Sequence, residues 1–468
     1  MSTPQTSAGP KGGWTGRPAG IPAGVPPSSV PLSFLAAAAA GLVACGVAVV
    51  LARSAATVDP TDDVVVGAAH FAMLATLSMG VLGAIHQFAP VITQRPLRSV
   101  RLSRATFLAW LAGSWLLPIG FMSRHEVVVE LGGAFAAVAV ILLVVNVTAP
   151  LRARGKGAPT VGLRLAVIGF VVTASYGVLY VIDRRGAWFV LNGHVVLAHA
   201  CVGLLAWLGL TYLSVSEKLW PMFMLSHVPG RRVSGWIAIW SVFAGVALLS
   251  PGLLFGVYGL AIAGAAVVAT GLGAHLWSLA AYIHHRRRPV DLHVVFVVSS
   301  AIWLVVATGL GVTSAVLVHL GEHRGVAWTA ATVVALAGWL LVALVGHAHK
   351  IVPFIAWSAL RGRGIAKKAN GTQLMFADLF NHRWATVDYV FVNASVAAIG
   401  LGFILGDRLA IALGGVLLVA TAVTSACNLA WRPTRLLLAG PGPSDQSPSP
   451  ITVPAALRDR ASRATPSA

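Results

Sequence analysis

The sequence predicts an all-α polytopic membrane bundle of about twelve transmembrane helices in a pseudo-threefold arrangement. Three observations carry that expectation: an apolar composition, recurrent apolar runs of bilayer length, and a polar residue followed by a proline at three of those runs. Hydrophobic residues occupy 57% of 468 positions, charged residues 10%, and mean hydropathy is +0.82. That leaves too little polar surface to cover a soluble globule of this size.

In chain order the apolar runs fall at 33–53, 66–92, 104–122, 127–149, 161–182, 191–219, 232–250, 252–282, 293–318, 325–352, 385–406 and 408–430. Each approaches or exceeds the roughly 20 residues a helix needs to cross a bilayer, and short clusters of Arg, Pro, Gly and Asp separate them. No break marks a separate soluble domain, so residues 31–432 form one membrane domain. Residues 1–30 and 433–468 are rich in Pro, Gly, Ser and Thr, bury nothing, and are expected to be disordered cytoplasmic tails. The first apolar run begins some 30 residues in and is long enough to span, so a cleavable signal peptide is not expected.

The formal charge of +19 is a topology signal. With the first tail inside, 27 of the 33 Lys and Arg fall in cytoplasmic segments, and Asp59, Asp62 and Asp63 sit in the first outer loop. Both termini are therefore expected in the cytoplasm, the lipid bilayer is the expected partner, and nucleic acid is not. Cys45, Cys201 and Cys427 lie in apolar runs without CxxC spacing and read as small core residues. A bacterial cytoplasmic (inner) membrane is the expected setting.

The proline echo recurs at four-helix intervals. The second run ends GAIHQFAP, the sixth SVSEKLWP and the tenth GHAHKIVP, so His86, Glu217 and His349 each precede Pro90, Pro221 and Pro353 by four residues. Trp207 and Trp339 each precede theirs by fourteen. A repeat of this kind places the second, sixth and tenth helices around a common interior.

Ionisable side chains inside spans are costly and mark functional interiors. Among 15 histidines, His70, His194 and His199 fall at an outer depth, with His319 and His323 in the outer loop before the tenth run. His86, His275, His347 and His349 fall at an inner depth, whereas His293 sits at a membrane edge. His70 and His86 are about 24 Å apart along one helix and cannot serve one site. Two layers of candidate ligands follow: His70, His199 and His194 outside, and His86, His349 and His347 inside. Imidazoles on facing helices hold heme iron by two axial ligands and hold copper or zinc equally well. His347 and His349 are only two residues apart, so one of them is expected to bond a ligand group while the other binds. Glu217 beside Lys218 reads as a pair snorkelling to headgroups.

The stretches AAHFAMLATLSMGVLGAIHQFAPVI from 68 to 92 and GHVVLAHACVGLLAWLGLTYLSVSEKLWPMF from 193 to 223, together with twelve spans, resemble subunit I of the heme-copper oxidase superfamily. The segment GHAHKIVPFIAW, followed by LMFADLFNHRWA, is similar to oxidase-like bacterial membrane proteins found with respiratory or nitrogen-oxide genes. The resemblance implies a twelve-helix pseudo-threefold bundle, with His70 at the position of the low-spin heme ligand. The chain departs from the family in three places, the first being the outer end of the tenth run, where the family carries His-x-His and this chain has Val333 and its neighbours. The seventh run carries no histidine, and the sixth lacks His-Pro-x-Val-Tyr, so the usual complete heme-copper centre is not expected.

Together these readings predict a heme-binding, redox-active membrane protein. Its cofactor is expected to be b-type heme, with copper as the other metal, and its partners respiratory-chain subunits or a cytochrome or cupredoxin donor. The competing readings are a copper or small-molecule transporter or sensor, and a noncatalytic oxidase-like paralogue.

Overall fold

The computed structural model describes residues 26–152, 157–228, 232–322, 324–368 and 370–440. The remainder, including His323 and most of both expected tails, lies outside the described residues. Among the described residues, twelve helices are long and apolar enough to cross a membrane: α1 (Ser29–Val58), α2 (Asp63–Thr93), α3 (Val100–Ser123), α4 (Glu126–Leu151), α5 (Ala158–Gly186), α6 (Gly193–Met224), α7 (Val233–Leu254), α8 (Tyr258–His284), α9 (Leu292–His319), α10 (Gly325–Gly362), α11 (His382–Leu405) and α12 (Arg408–Ala439). Among the described residues there is no strand, only an isolated bridge between Lys367 and Gln373.

Polar residues between the apolar runs set the helix starts. The side chains of Asp62, Ser99, Asn192, Asp291, Asn381 and Asp407 accept hydrogen bonds from the first free backbone N–H groups of α2, α3, α6, α9, α11 and α12. Left-handed residues, Gln94 after α2 and Gly406 after α11 among them, turn the chain out of its helices. Short connections then make sequential helices antiparallel neighbours, and small residues let their backbones meet. A Cβ on Gly132 of α4 would lie 2.3 Å from the Leu117 nitrogen of α3, and one on Gly264 of α8 would lie 2.4 Å from the Leu249 nitrogen of α7. The first and last helices cross in the same way at Gly46 and Gly415, which closes the ring.

Inside that ring lie α2, α6 and α10. Over their most apolar stretch they are 56%, 61% and 50% buried, against at most 44% for any other helix, so these three face protein while the rest face lipid. They also meet one another. The Trp207 indole of α6 donates to Ser78 Oγ of α2 at 3.0 Å, Gly209 of α6 receives the Trp339 ring of α10, and Gly80 of α2 receives Leu344 of α10.

Two of the three central helices share an irregularity. Residues Phe71–Ser78 of α2 and Val202–Gly209 of α6 are π-helical, and each stretch begins nineteen residues before the proline of its helix. The Thr76 hydroxyl donates to the Phe71 carbonyl five residues back, and the Trp110 indole of α3 donates to the Leu74 carbonyl, so polar groups support the wider turn. Each π segment is also met by a glycine of the preceding helix. A Cβ on Gly41 of α1 would lie 2.1 Å from the Ala75 carbonyl oxygen, and one on Gly169 of α5 would lie 2.4 Å from that of Ala206. The equivalent stretch of α10 is α-helical throughout, so the correspondence joins α2 to α6 in this respect and not α10.

The prolines do not end their helices. Pro90 and Pro221 lie in the last turn and Pro353 well inside α10, each freeing the carbonyl of the residue four earlier. Likewise α12 continues past Pro433 to Ala439, beyond the expected start of the tail, because RLLLA extends its apolar face.

The connection from α10 to α11 is organised by Asp378, which accepts hydrogen bonds from Lys368 Nζ at 2.7 Å and from the Met375 N–H at 2.9 Å. Burial by itself would raise this carboxyl, but Lys368, the Met375 N–H and Arg432 outweigh it and hold it below the ordinary 3.8. A group depressed on folding contributes stability above its unfolded value and loses it as pH falls through the folded one. We expect amide exchange in this connection to be unchanged from neutral pH down to about pH 4 and to rise below that. Exchange that already rises between pH 7 and 5, once corrected for intrinsic rate, would contradict the assignment.

Candidate functional site

His70 of α2 stands one residue before the π segment of its helix, and His199 of α6 three residues before its own. Such wide turns gather at functional sites because they redirect side chains relative to the rest of the helix. The two imidazoles face each other across the helix pair, with ring centroids 6.5 Å apart and planes inclined by 21°.

The His70 Nδ1–H donates to the Val66 carbonyl at 2.8 Å, which leaves the Nε2 lone pair as the free donor. His199 Nδ1 is buried with no hydrogen-bond partner. Both residues are part-buried. Phe121 of α3 stacks on His70 at 5.2 Å, and Tyr180 of α5 lies 5.7 Å from His199. Tyr180 is itself fixed by donating to the Val195 carbonyl at 2.8 Å.

Above this pair lies a charged rim. Arg184 grips Asp63 at 2.9 Å and Glu126 at 2.6 Å, and its guanidinium sits 5.2 Å from the Phe121 ring centroid. Arg124 pairs with Asp62, and Arg185 with Glu130. Three helices are thereby clamped at the end where α2 begins, with Phe121 between the clamp and His70.

Two imidazoles bound on opposite sides of one metal ion have centroids about 6 Å apart, twice the sum of a metal–nitrogen bond and the distance from nitrogen to ring centre. The observed centroid separation of 6.5 Å is close to that value. Zinc and Cu(II) sites draw three or four donors from the protein, and no group of three or more His, Cys, Asp or Glu suited to a metal exists among the described residues. A porphyrin supplies four nitrogens of its own and asks the protein only for the axial pair. Two imidazoles without a third donor would suit a group that brings further ligands of its own, as a porphyrin does.

The other predicted residues are placed differently. His194 does not join His199; five residues away on α6, it turns to another face, where Nε2 lies 3.4 Å from the Tyr258 hydroxyl. In the inner layer, His86 stacks on Phe34 and bonds the Leu82 carbonyl through Nδ1, leaving Nε2 buried without a partner. His349 contacts Phe296 and Phe380 instead, and both of its nitrogens are occupied: Nδ1 lies 2.9 Å from the Val345 carbonyl and Nε2 3.0 Å from Asp388 Oδ2. With no lone pair free, His349 in this arrangement is not a metal ligand, and the expected pairing of His86 with His349 is not formed. His347 points the other way from α10, toward His293 of α9, 4.7 Å between centroids.

Two residues of these clusters carried little weight in the sequence. Asp388 stands fully buried within an apolar run, the usual mark of a functional or partnered charge in a membrane, and that mark was available to find it. His293 sits one residue inside the start of α9, so its position in the chain suggested an edge, and only the packing of α9 on α10 reveals it as 5% exposed.

No protein-family model and no curated protein sequence matches this chain.

Proposed function

We propose that this chain is a redox-active heme-binding membrane protein of the oxidase subunit I type, holding one b-type heme between His70 and His199. The observation that carries the proposal is the opposed imidazole pair, 6.5 Å between centroids, with no third metal-binding side chain grouped with it among the described residues. The resemblance of residues 68–92 to the helix that bears a heme ligand in that superfamily agrees with it.

Bound there, heme supplies reversible one-electron chemistry. The protein's own contributions follow from the geometry. The Val66 carbonyl fixes the tautomer of His70 and the direction of its free nitrogen. Phe121 and Tyr180 wall the pair with aromatic surface and limit the approach of water. The clamp made by Arg184, Asp63 and Glu126 holds α2, α4 and α5 together at that end. Under the same reading this end faces outward from a bacterial cytoplasmic membrane, where a cytochrome or cupredoxin donor, or another respiratory subunit, would deliver electrons. The absence of histidine from α7 sets the chain apart from an oxidase with a complete second metal centre.

The test is spectroscopic. Detergent-purified protein is expected to show a Soret band and a pyridine hemochrome of the b type at about one heme per chain. His70→Ala and His199→Ala should each lose most of that heme, while His194→Ala and His86→Ala keep it. A preparation without a Soret band, or full heme retention in both His70→Ala and His199→Ala, would sink the proposal.

A further inference from the structure

We propose that the groove between α8 and α9 holds an anionic phospholipid, with an acyl chain against the two helices and the phosphate on the arginines of the connection that joins them. The two helices are consecutive, yet α8 packs on α7 and α9 on α10, and an apolar groove is left between them. Its walls include Leu276, Ala280 and Ile283 of α8 and Val298, Ala301 and Ile302 of α9. The end of α6 closes its back, where Trp220 and Met224 pack with Leu279 and Tyr282 of α8 and with Val294 and Val297 of α9. Its front is open, since Ile302 and Val305 are each 57% exposed. The lining residues of α9 run from Val298 to Val306, about 12 Å along the helix, close to the roughly 15 Å of hydrocarbon in one leaflet.

The connection supplies the charge at the end of the groove. Arg286, Arg287 and Arg288 follow one another there and are exposed, and none of them forms an ion pair among the described residues. The one carboxylate of the connection, Asp291, is taken by Lys350 at 2.5 Å. Two hydrogen bonds fix where the arginines stand. Arg286 Nη1 donates to the Ile283 carbonyl at 2.9 Å, which brings its guanidinium back over the last turn of α8, beside a residue that lines the groove. The Arg287 N–H donates to the Met224 carbonyl at 3.1 Å, which ties the connection to the back of the groove. A guanidinium has further N–H groups with which to meet a phosphate in a bidentate fork, and successive basic residues beside a bilayer attract anionic headgroups. Apolar walls would accept any acyl chain, and arginines without carboxylate partners at their end select a lipid that carries negative charge.

The test is native mass spectrometry of delipidated full-length protein in detergent, with phosphatidylglycerol and phosphatidylcholine of identical acyl chains as probes. One phosphatidylglycerol per chain is expected to bind at least about tenfold more tightly than phosphatidylcholine. Arg286→Gln/Arg287→Gln/Arg288→Gln should remove that preference. Arg361→Gln/Arg363→Gln/Arg383→Gln, which takes the same charge from another stretch at this end of the bundle, should keep it. Ala280→Phe and Ala301→Phe, which fill the groove, should each lose the one-to-one phosphatidylglycerol complex, and inorganic phosphate should not displace the lipid. The proposal is overturned by equal affinity for the two lipids, by equal loss in the two arginine triples, by a complex retained in both groove variants, or by displacement with inorganic phosphate. Should thermal melting show that the groove variants have lost their fold, a phosphatidylglycerol bearing a diazirine on its acyl chain must label residues 276–283 or 298–306 of the parent protein, and labelling confined to other helices refutes the site. None of these readouts involves heme, so failure here leaves the heme proposal standing, and the reverse also holds.

Discussion

Asp388→Ala is expected to destabilise the bundle by about 3–5 kcal/mol, the cost of removing one member of a buried ion pair. Both His349 nitrogens face oxygen, the Val345 carbonyl at one and Asp388 at the other. A carbonyl cannot donate, so one proton sits on Nδ1 and a second must lie between Nε2 and the carboxylate. Thr424 of α12 donates to the remaining Asp388 oxygen, and α10, α11 and α12 are thereby joined through two side chains that are 5% and 0% exposed. Removing the carboxylate strands the imidazole in an apolar interior, and removing the imidazole strands the carboxylate. Removing both together leaves nothing stranded. The double variant His349→Leu/Asp388→Leu should therefore be more stable than either His349→Leu or Asp388→Ala. Unfolding in mixed detergent micelles measures all three, and a double variant whose loss equals the sum of the singles would refute the pairing.

Gly41→Val and Gly169→Val should each cost at least about 1–3 kcal/mol, and each should disturb the heme spectrum although neither residue touches a histidine of the pair. Their Cβ atoms would fall 2.1 Å and 2.4 Å from backbone oxygens of the two π segments. Backbone cannot step aside as a side chain can, so α1 or α5 must move away and the wide turns behind His70 and His199 must shift with it. Gly273 of α8 provides the contrast, since nothing lies within 4 Å of a Cβ built there. Gly273→Ala should be neutral or stabilising by up to about 1 kcal/mol. Equal melting temperatures for Gly41→Val and Gly273→Ala would show that the close approach carries no weight.

Hydropathy made the twelve helices legible because the bilayer imposes a length on each span, and the placement of α2, α6 and α10 was legible because each carries a polar residue four before a proline. His70 and His199 could be matched as facing partners from depth alone, since both stand some twenty residues before their prolines. Rotation about a helix axis was not legible. The π segments alter the phase of α2 and α6 by an amount that no hydrophobic pattern records, and His347 and His349 could be assigned to opposite neighbours only once α9 and α11 were in place on either side of α10. For that reason His293 was read as an edge residue, and Asp388 was not paired with His349.

The wide turns of α2 and α6 have a consequence for how such a helix tolerates change. A π segment holds one residue more than an α-helix needs over the same rise, so it works as a phase shifter between two halves of one rod. Upstream, the rod aims His70 or His199; Trp207 and Gly209 within the π segment of α6, and Gly80 beyond that of α2, meet the central seam. Losing a single residue between 71 and 78 would let this stretch take up the tighter α-helical turn and would change the angle between the two halves. The two halves can therefore be tuned separately, and the extra residue sets the angle between them.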